Sequence, residues 1–191
     1  MNDKYKAAQI ILVVYIMKPM WTFILVIIFM FIASSCKKDP LPKASQVGAE
    51  IMAAKIDGKV WKKTACFSCI AGGSALRVDF SNGNLYIQGE QNDDDLKTYI
   101  ALVLRNLTKE GVYDLNIESD NTNHAELSDY TVINFARKYS TNSTNKGSVT
   151  ITKLDLDKKI VSGTFSFIAD DEDSPGNTTQ VTDGRFDVKF D

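Results

Sequence analysis

The chain has 191 residues, 44% of them hydrophobic and 24% charged, with a formal net charge of -2. That length supports one core plus a short appendage. The near-neutral balance argues against a nucleic-acid partner, which calls for a basic face or stripe.

The apolar residues crowd the N-terminus. From Ala7 to Ala33 the chain is almost wholly aliphatic and aromatic, broken in the middle by Lys18-Pro19. A spanning helix needs about 20 continuous apolar residues, so this pair divides the run. The second piece, Met17 to Cys36, carries a basic start, an apolar centre and then small residues, the order of a secretory signal. Residues 1–35 are therefore predicted to be a signal peptide, with Met17 as its candidate natural start.

At the end of that run, Ala33-Ser34-Ser35-Cys36 resembles the lipobox of bacterial lipoproteins. The resemblance implies cleavage before Cys36, a diacylglycerol on its thiol and a further acyl chain on its amine. Two or more chains suffice to hold a protein on a bilayer, so the expected partner is a membrane and the expected location the cell envelope. The "CKKD" that follows is partly like the export signals of surface lipoproteins, which favours the outer membrane and leaves the face open. Residues 36–49, rich in lysine and proline, have the composition of a semi-rigid lipidated tether. A β domain is expected over 50–191.

From there the hydrophobic pattern has period two. In "ALRVDF", Leu76, Val78 and Phe80 share one face while Arg77 and Asp79 take the other, as in a half-buried strand. Asn82-Gly83 and Asp57-Gly58 suit the positive φ angles of two-residue hairpin turns, and "TKEG" before "VYDLNI" marks a third turn. "TYIALVLRN" is apolar on both faces: Ile100, Leu102 and Leu104 on one, Tyr99, Ala101 and Val103 on the other. A strand of that kind is normally central and covered, here by a loop or the segment around Cys66. The sharper reading makes Tyr99 and Tyr86 the lining of a binding face or cleft. In "IVSGTFSFIA" and "TDGRFDVKF", Val161, Phe165, Phe167, Phe186, Val188 and Phe190 point inward, Ser162, Thr164, Ser166, Arg185, Asp187 and Lys189 take the opposite, solvent face, and the two strands are predicted to be antiparallel neighbours. No helical stripe longer than two turns follows Cys36. The fold class is therefore all-β, an antiparallel sandwich or flattened barrel of about eight to ten short strands.

Chemistry-bearing residues are few. Cys66 and Cys69 form a C-x-x-C that enters Ala-Gly-Gly instead of a helix, which argues against a thioredoxin-type pair. A zinc site needs about four ligands, and the single histidine, His124, lies in a polar stretch read as a solvated loop. In an oxidising compartment a local disulfide between Cys66 and Cys69 is the first expectation. The acidic runs Asp93–Asp95 and Asp170–Asp173 fall in predicted hairpin loops and lack the spacing of a dedicated calcium loop. No metal and no cofactor are expected.

Together, "SSCKKD", "AKIDGKVW", "GVYDL" and the closing "KIVSGTFSF" and "TDGRFDVKF" resemble a family of uncharacterised Bacteroidetes lipoproteins over Glu50 to Asp191. The resemblance implies an exported, lipid-anchored β domain and brings no catalytic residues with it. The expected function is a non-catalytic binding or interaction module for a glycan, peptide or protein. The alternative is a small envelope hydrolase such as a glycosidase, which requires two carboxylates facing each other across a cleft.

Overall fold

The computed structural model describes residues 41–64, 75–93, 96–117, 121–132 and 135–191. Cys36, Cys66 and Cys69, with the lipidation and disulfide expected of them, lie outside the described residues.

The domain is all-β, as its alternation requires. Its strands are β1 (Ile51–Ile56), β2 (Lys59–Lys62), β3 (Leu76–Ser81), β4 (Asn84–Asp93), β5 (Leu96–Leu104) and β6 (Gly111–Leu115), then β7 (His124–Val132), β8 (Phe135–Ser140), β9 (Gly147–Asp155), β10 (Ile160–Asp171) and β11 (Thr178–Lys189). Their pairings are antiparallel and join them into a single sheet curled as a half-barrel. The order along the sheet is β2-β1-β11-β10-β8-β7-β5-β4-β3.

β10 is where the sheet divides. Ile160 to Phe167 pair with β9, whereas Asp170 and Asp171, further along the same strand, pair with β8. β9 in turn carries β6, so "GVYDL" forms a sheet edge rather than a hairpin with its sequence neighbour. The curl brings Thr64, just past β2, against β4: its amide donates to the Glu90 carbonyl at 2.8 Å, and its hydroxyl oxygen accepts from Asn92 N at 3.1 Å.

Local chemistry sets the hairpins. Asp57-Gly58 and Asn82-Gly83 have φ of 48° and 77°, and 51° and 74°, the left-handed values that match such turns to the strand twist. Between β10 and β11 two glycines face two phenylalanines across the strands, Gly163 with Phe186 and Phe165 with Gly184. A Cβ on Gly163 would sit 2.7 Å from Phe186 Cζ, and one on Gly184 2.5 Å from Phe165 Cδ2. Each ring therefore lies over the bare backbone of its neighbour, the packing by which aromatics cover strand glycines. This is the physical content of the closing sequence motif.

The expected inward face is the inward face. Phe165, Phe167, Phe186 and Val188 are all buried in one core, with Phe165 centred 6.3 Å from both Phe167 and Phe186. The outward face differs at one point. Asp187 and Ser162, expected to face solvent, are fully buried.

The cause is the segment before β1. Residues 36–49 read as a tether by composition, yet from Leu41 onward they are strapped to the domain, and Leu41 itself is buried. Asp187 Oδ2 accepts from Ser45 Oγ at 2.5 Å, Val47 N at 3.0 Å and Ala49 N at 3.1 Å. Its Oδ1 accepts from Gly48 N at 2.9 Å and Ser162 Oγ at 2.7 Å. Arg185 Nη1 donates to the Pro42 carbonyl at 2.9 Å, and Lys153 Nζ to that of Gln46 at 2.9 Å. A strap with little apolar content is thus held by hydrogen bonds, which period-two hydrophobicity does not register.

Candidate functional site

β5 is central, as its two apolar faces require, with β4 and β7 on either side. Ile100, Leu102 and Leu104 enter the core, and Ala101 and Val103 are buried on the opposite face. That outer face is a grid of cross-strand rows. One row runs Arg77, Gln88, Ala101, Glu126 from β3 to β7. The next runs Glu90, Tyr99, Ser128, Lys138 from β4 to β8, and another Asp79, Tyr86, Val103, His124.

Small side chains at the middle of a row of large ones leave a hollow. Ala101 and Ser128 form the floor of a cleft of about 440 Å³, walled by Tyr86, Tyr99, Tyr130, Gln88, Glu126, Lys97 and Lys138. Tyr86 and Tyr99, the two positions singled out in the sequence, line this one cleft. Tyr130 is the wall the sequence reading missed. It meets Tyr99 edge to face, with centroids 5.4 Å apart and an interplanar angle of 81°. The two rings make a corner instead of a flat platform.

The phenols are fixed from within the sheet. Tyr99 OH donates to Glu90 Oε1 at 3.2 Å, and Tyr86 OH donates to Gln88 Oε1. The Arg77 guanidinium stands 5.5 Å from the Tyr86 ring centroid, in cation–π range. Burial, and then the Glu90 carboxylate beside it, push the Tyr99 phenol up to about 12. Burial and the charge of Glu126 raise Tyr86 in the same sense. Both phenols remain protonated donors at neutral pH.

His124 is not in a loop. It opens β7, pairs in register with Val103 and is 5% exposed. Its Nδ1 lies 3.1 Å from the Thr122 carbonyl and its Nε2 3.2 Å from Glu126 Oε1. Both partners are acceptors, so whichever ring nitrogen carries the proton donates to one of them. Glu126 therefore reaches the cleft with the His124 ring already beside its carboxylate. The polar sequence around His124 concealed this, because Ala125 and Leu127 alternate with polar residues of which His124 is buried while Glu126 and Ser128 are half-buried.

A wider hollow of about 590 Å³ lies over the outer face of β9, β10 and β11, lined by Ser148, Thr150, Thr164, Ser166, Thr182 and Arg185 among others. It offers neutral hydroxyls, and its arginine is held by Pro42 and the Asp183 carbonyl. The tyrosine cleft, with aromatic walls and charged groups in one place, has the stronger recognition chemistry.

The acidic run at the β10–β11 hairpin is engaged by its own turn. Asp171 Oδ1 accepts from the amides of Asp173 and Ser174, and Asp170 Oδ1 from that of Gly176. Among the described residues no group of three His, Cys, Asp or Glu is arranged to hold a metal ion. Glu126 is the carboxylate among the described residues that line the cleft, and Glu90 beside it is taken up by Tyr99 and Asn92. The facing pair that a glycosidase requires is not assembled by these residues.

Residues 49–188 match a protein family described as a domain of unknown function, DUF6252. The match spans well over half of the chain, which therefore belongs to that family. No curated protein matches the chain, and no solved structure does.

Proposed function

We propose that this DUF6252 protein is a lipid-anchored, non-catalytic binding module of the bacterial cell envelope whose outer sheet face grips a saccharide. The cleft walled by Tyr86, Tyr99 and Tyr130 carries this reading. Saccharides present apolar ring faces and rims of hydroxyls, and a corner of two rings beside Gln88, Ser128, Glu126 and two lysines answers both. The cleft is built on regular strands whose positions the sheet fixes, so little order has to be created on binding.

Anchoring rests on the small residues before Cys36 at the end of an apolar run. In this reading the chain is a Bacteroidetes lipoprotein, cleaved before Cys36 and held preferentially at the outer membrane. Cys66 and Cys69 close a local disulfide in that oxidising compartment.

Two measurements test the two halves separately. Cys36→Ser removes the sulfur that takes the diacylglycerol, so the precursor should stay uncleaved and lose palmitate labelling. Labelling equal to wild type would refute lipidation at this residue. For the cleft, Tyr99→Ala should weaken binding to whichever oligosaccharide a cell-wall and dietary glycan panel selects by about tenfold, the equivalent of ~1.4 kcal/mol. The far-ultraviolet spectrum should be unchanged. Affinity retained in Tyr99→Ala would place the binding surface elsewhere.

A further inference from the structure

The cleft's charges are unequally compensated, and this narrows the class of saccharide. Glu126 Oε1 lies 3.2 Å from His124 Nε2, and Glu90 accepts from Tyr99 and Asn92. Lys97 and Lys138 line the same cleft from β5 and β8. The ion pairs seen among the described residues include Lys55–Asp183, Arg77–Asp79, His124–Glu126 and Lys153–Asp155, and neither of these lysines belongs to one of them.

We propose that the cleft takes an acidic saccharide, a chain containing uronic acid residues, with the sugar ring in the Tyr99–Tyr130 corner and its carboxylate between Lys97 and Lys138. This rests on the saccharide reading above and adds the charge. The register supports it. Lys138 stands across from Ser128, which stands across from Tyr99, while Lys97 lies two residues before Tyr99 on the same face of β5. The ammonium groups thus flank the aromatic corner from two strands, with Tyr130 also lining the hollow. A pyranose ring seated there has its exocyclic carboxylate within reach of both. A neutral sugar supplies neither ammonium with a counter-charge of its own.

The test uses titration calorimetry on the mature domain with oligomers of galacturonate, glucuronate and alginate, each beside its carboxyl-reduced neutral counterpart of the same linkage. At least one acid oligomer should bind about tenfold or more tighter than its reduced form. That preference should shrink as salt rises from about 0.02 M to 0.5 M, because the screening length falls through the scale of the contact. Lys97→Gln and Lys138→Gln should each lower affinity for the acid about threefold to fivefold. Each should cost the reduced form less than it costs the acid, so that the acid preference falls, and Tyr99→Ala should weaken both. Equal binding of the acid and reduced forms would overturn the charge assignment and leave the saccharide reading standing. Binding of neither form by a folded domain would remove both. An acidic peptide bound in a Lys97- and Lys138-dependent manner, with no saccharide bound, would overturn the proposal in favour of a protein partner.

Discussion

Phe186→Ala is expected to lower the unfolding free energy by about 3 to 5 kcal/mol, the usual cost of emptying a phenylalanine site in a core. Phe186 is 2% exposed, lies over Gly163 and packs beside Phe165. Two features put the expectation at the upper end of that range. The bare backbone of Gly163 loses its cover, and the neighbour that would have to collapse into the void is a ring already stacked over Gly184. Neither strand can close the gap by sliding, since a one-residue slip would send Val188 outward and Asp187 into the core. Urea titration of the domain is the measurement. A loss below about 1 kcal/mol would show that the site relaxes far more than a core of this density should.

That this could be foreseen at all reflects where information lies along a strand. In β10 and β11 the residues Val161, Phe165, Phe167, Phe186 and Val188 keep a period-two phase, so alternation alone identifies the inward face, and the Asn-Gly and Asp-Gly turns fix which strands are neighbours. The same logic made β5 central, because both its faces are apolar, and brought Tyr86 and Tyr99 to one side of the sheet. It could not deliver Tyr130. That residue belongs to the cleft through the pairing of β7 with β5, a contact between segments about thirty residues apart, and nothing local announces it.

What escaped is of one physical kind. His124, Ser162 and Asp187 are polar, and each was assigned to solvent because polar residues between apolar ones usually are. Their burial is created by non-local partners: Thr122 and Glu126 around the imidazole, the strap around the carboxylate. The edge strand β6 was also invisible as such, since its partner β9 lies far along the chain and its own turn points toward a neighbour it does not pair with. Hydrophobic period finds faces; it does not find what covers them.

Asp187→Asn is expected to be among the most damaging substitutions that leave side-chain volume unchanged. All five groups around the carboxylate are donors, namely Ser45 Oγ, Val47 N, Gly48 N, Ala49 N and Ser162 Oγ. An amide nitrogen in place of either oxygen would meet backbone donors with a donor, Gly48 N at one position or Val47 N and Ala49 N at the other, while the serine hydroxyls can turn to accept; each part-buried amide left unsatisfied costs about 1 to 3 kcal/mol. The same geometry makes the wild-type domain acid-sensitive. Burial on its own would raise the Asp187 carboxyl, but the bonds from Ser45, Ser162, Gly48 and Val47 outweigh it and hold the group at about 2, below the ordinary 3.8. A carboxyl lowered on folding stabilises the native state fully above its unfolded value, so the contribution is complete above about pH 4. It is lost as the pH falls toward about 2, where the folded form also takes up the proton. The shift corresponds to roughly 2 to 3 kcal/mol. Chemical denaturation across that window should therefore show a loss in the wild type that is largely absent from Asp187→Asn, which lacks the titrating group. An unchanged slope in the variant would assign the acid sensitivity to other carboxylates. The strap reports the same event independently. Once Asp187 no longer holds it, residues 41–49 should become cleavable by protease under native conditions. In a lipid-anchored protein the freed strap would add up to about 30 Å of reach at ~3.3 to 3.6 Å per extended residue. Under the proposed lipid anchoring, the buried carboxylate would set how closely the domain is held to the membrane, and a variant that keeps the core but frees the strap separates that role from stability alone.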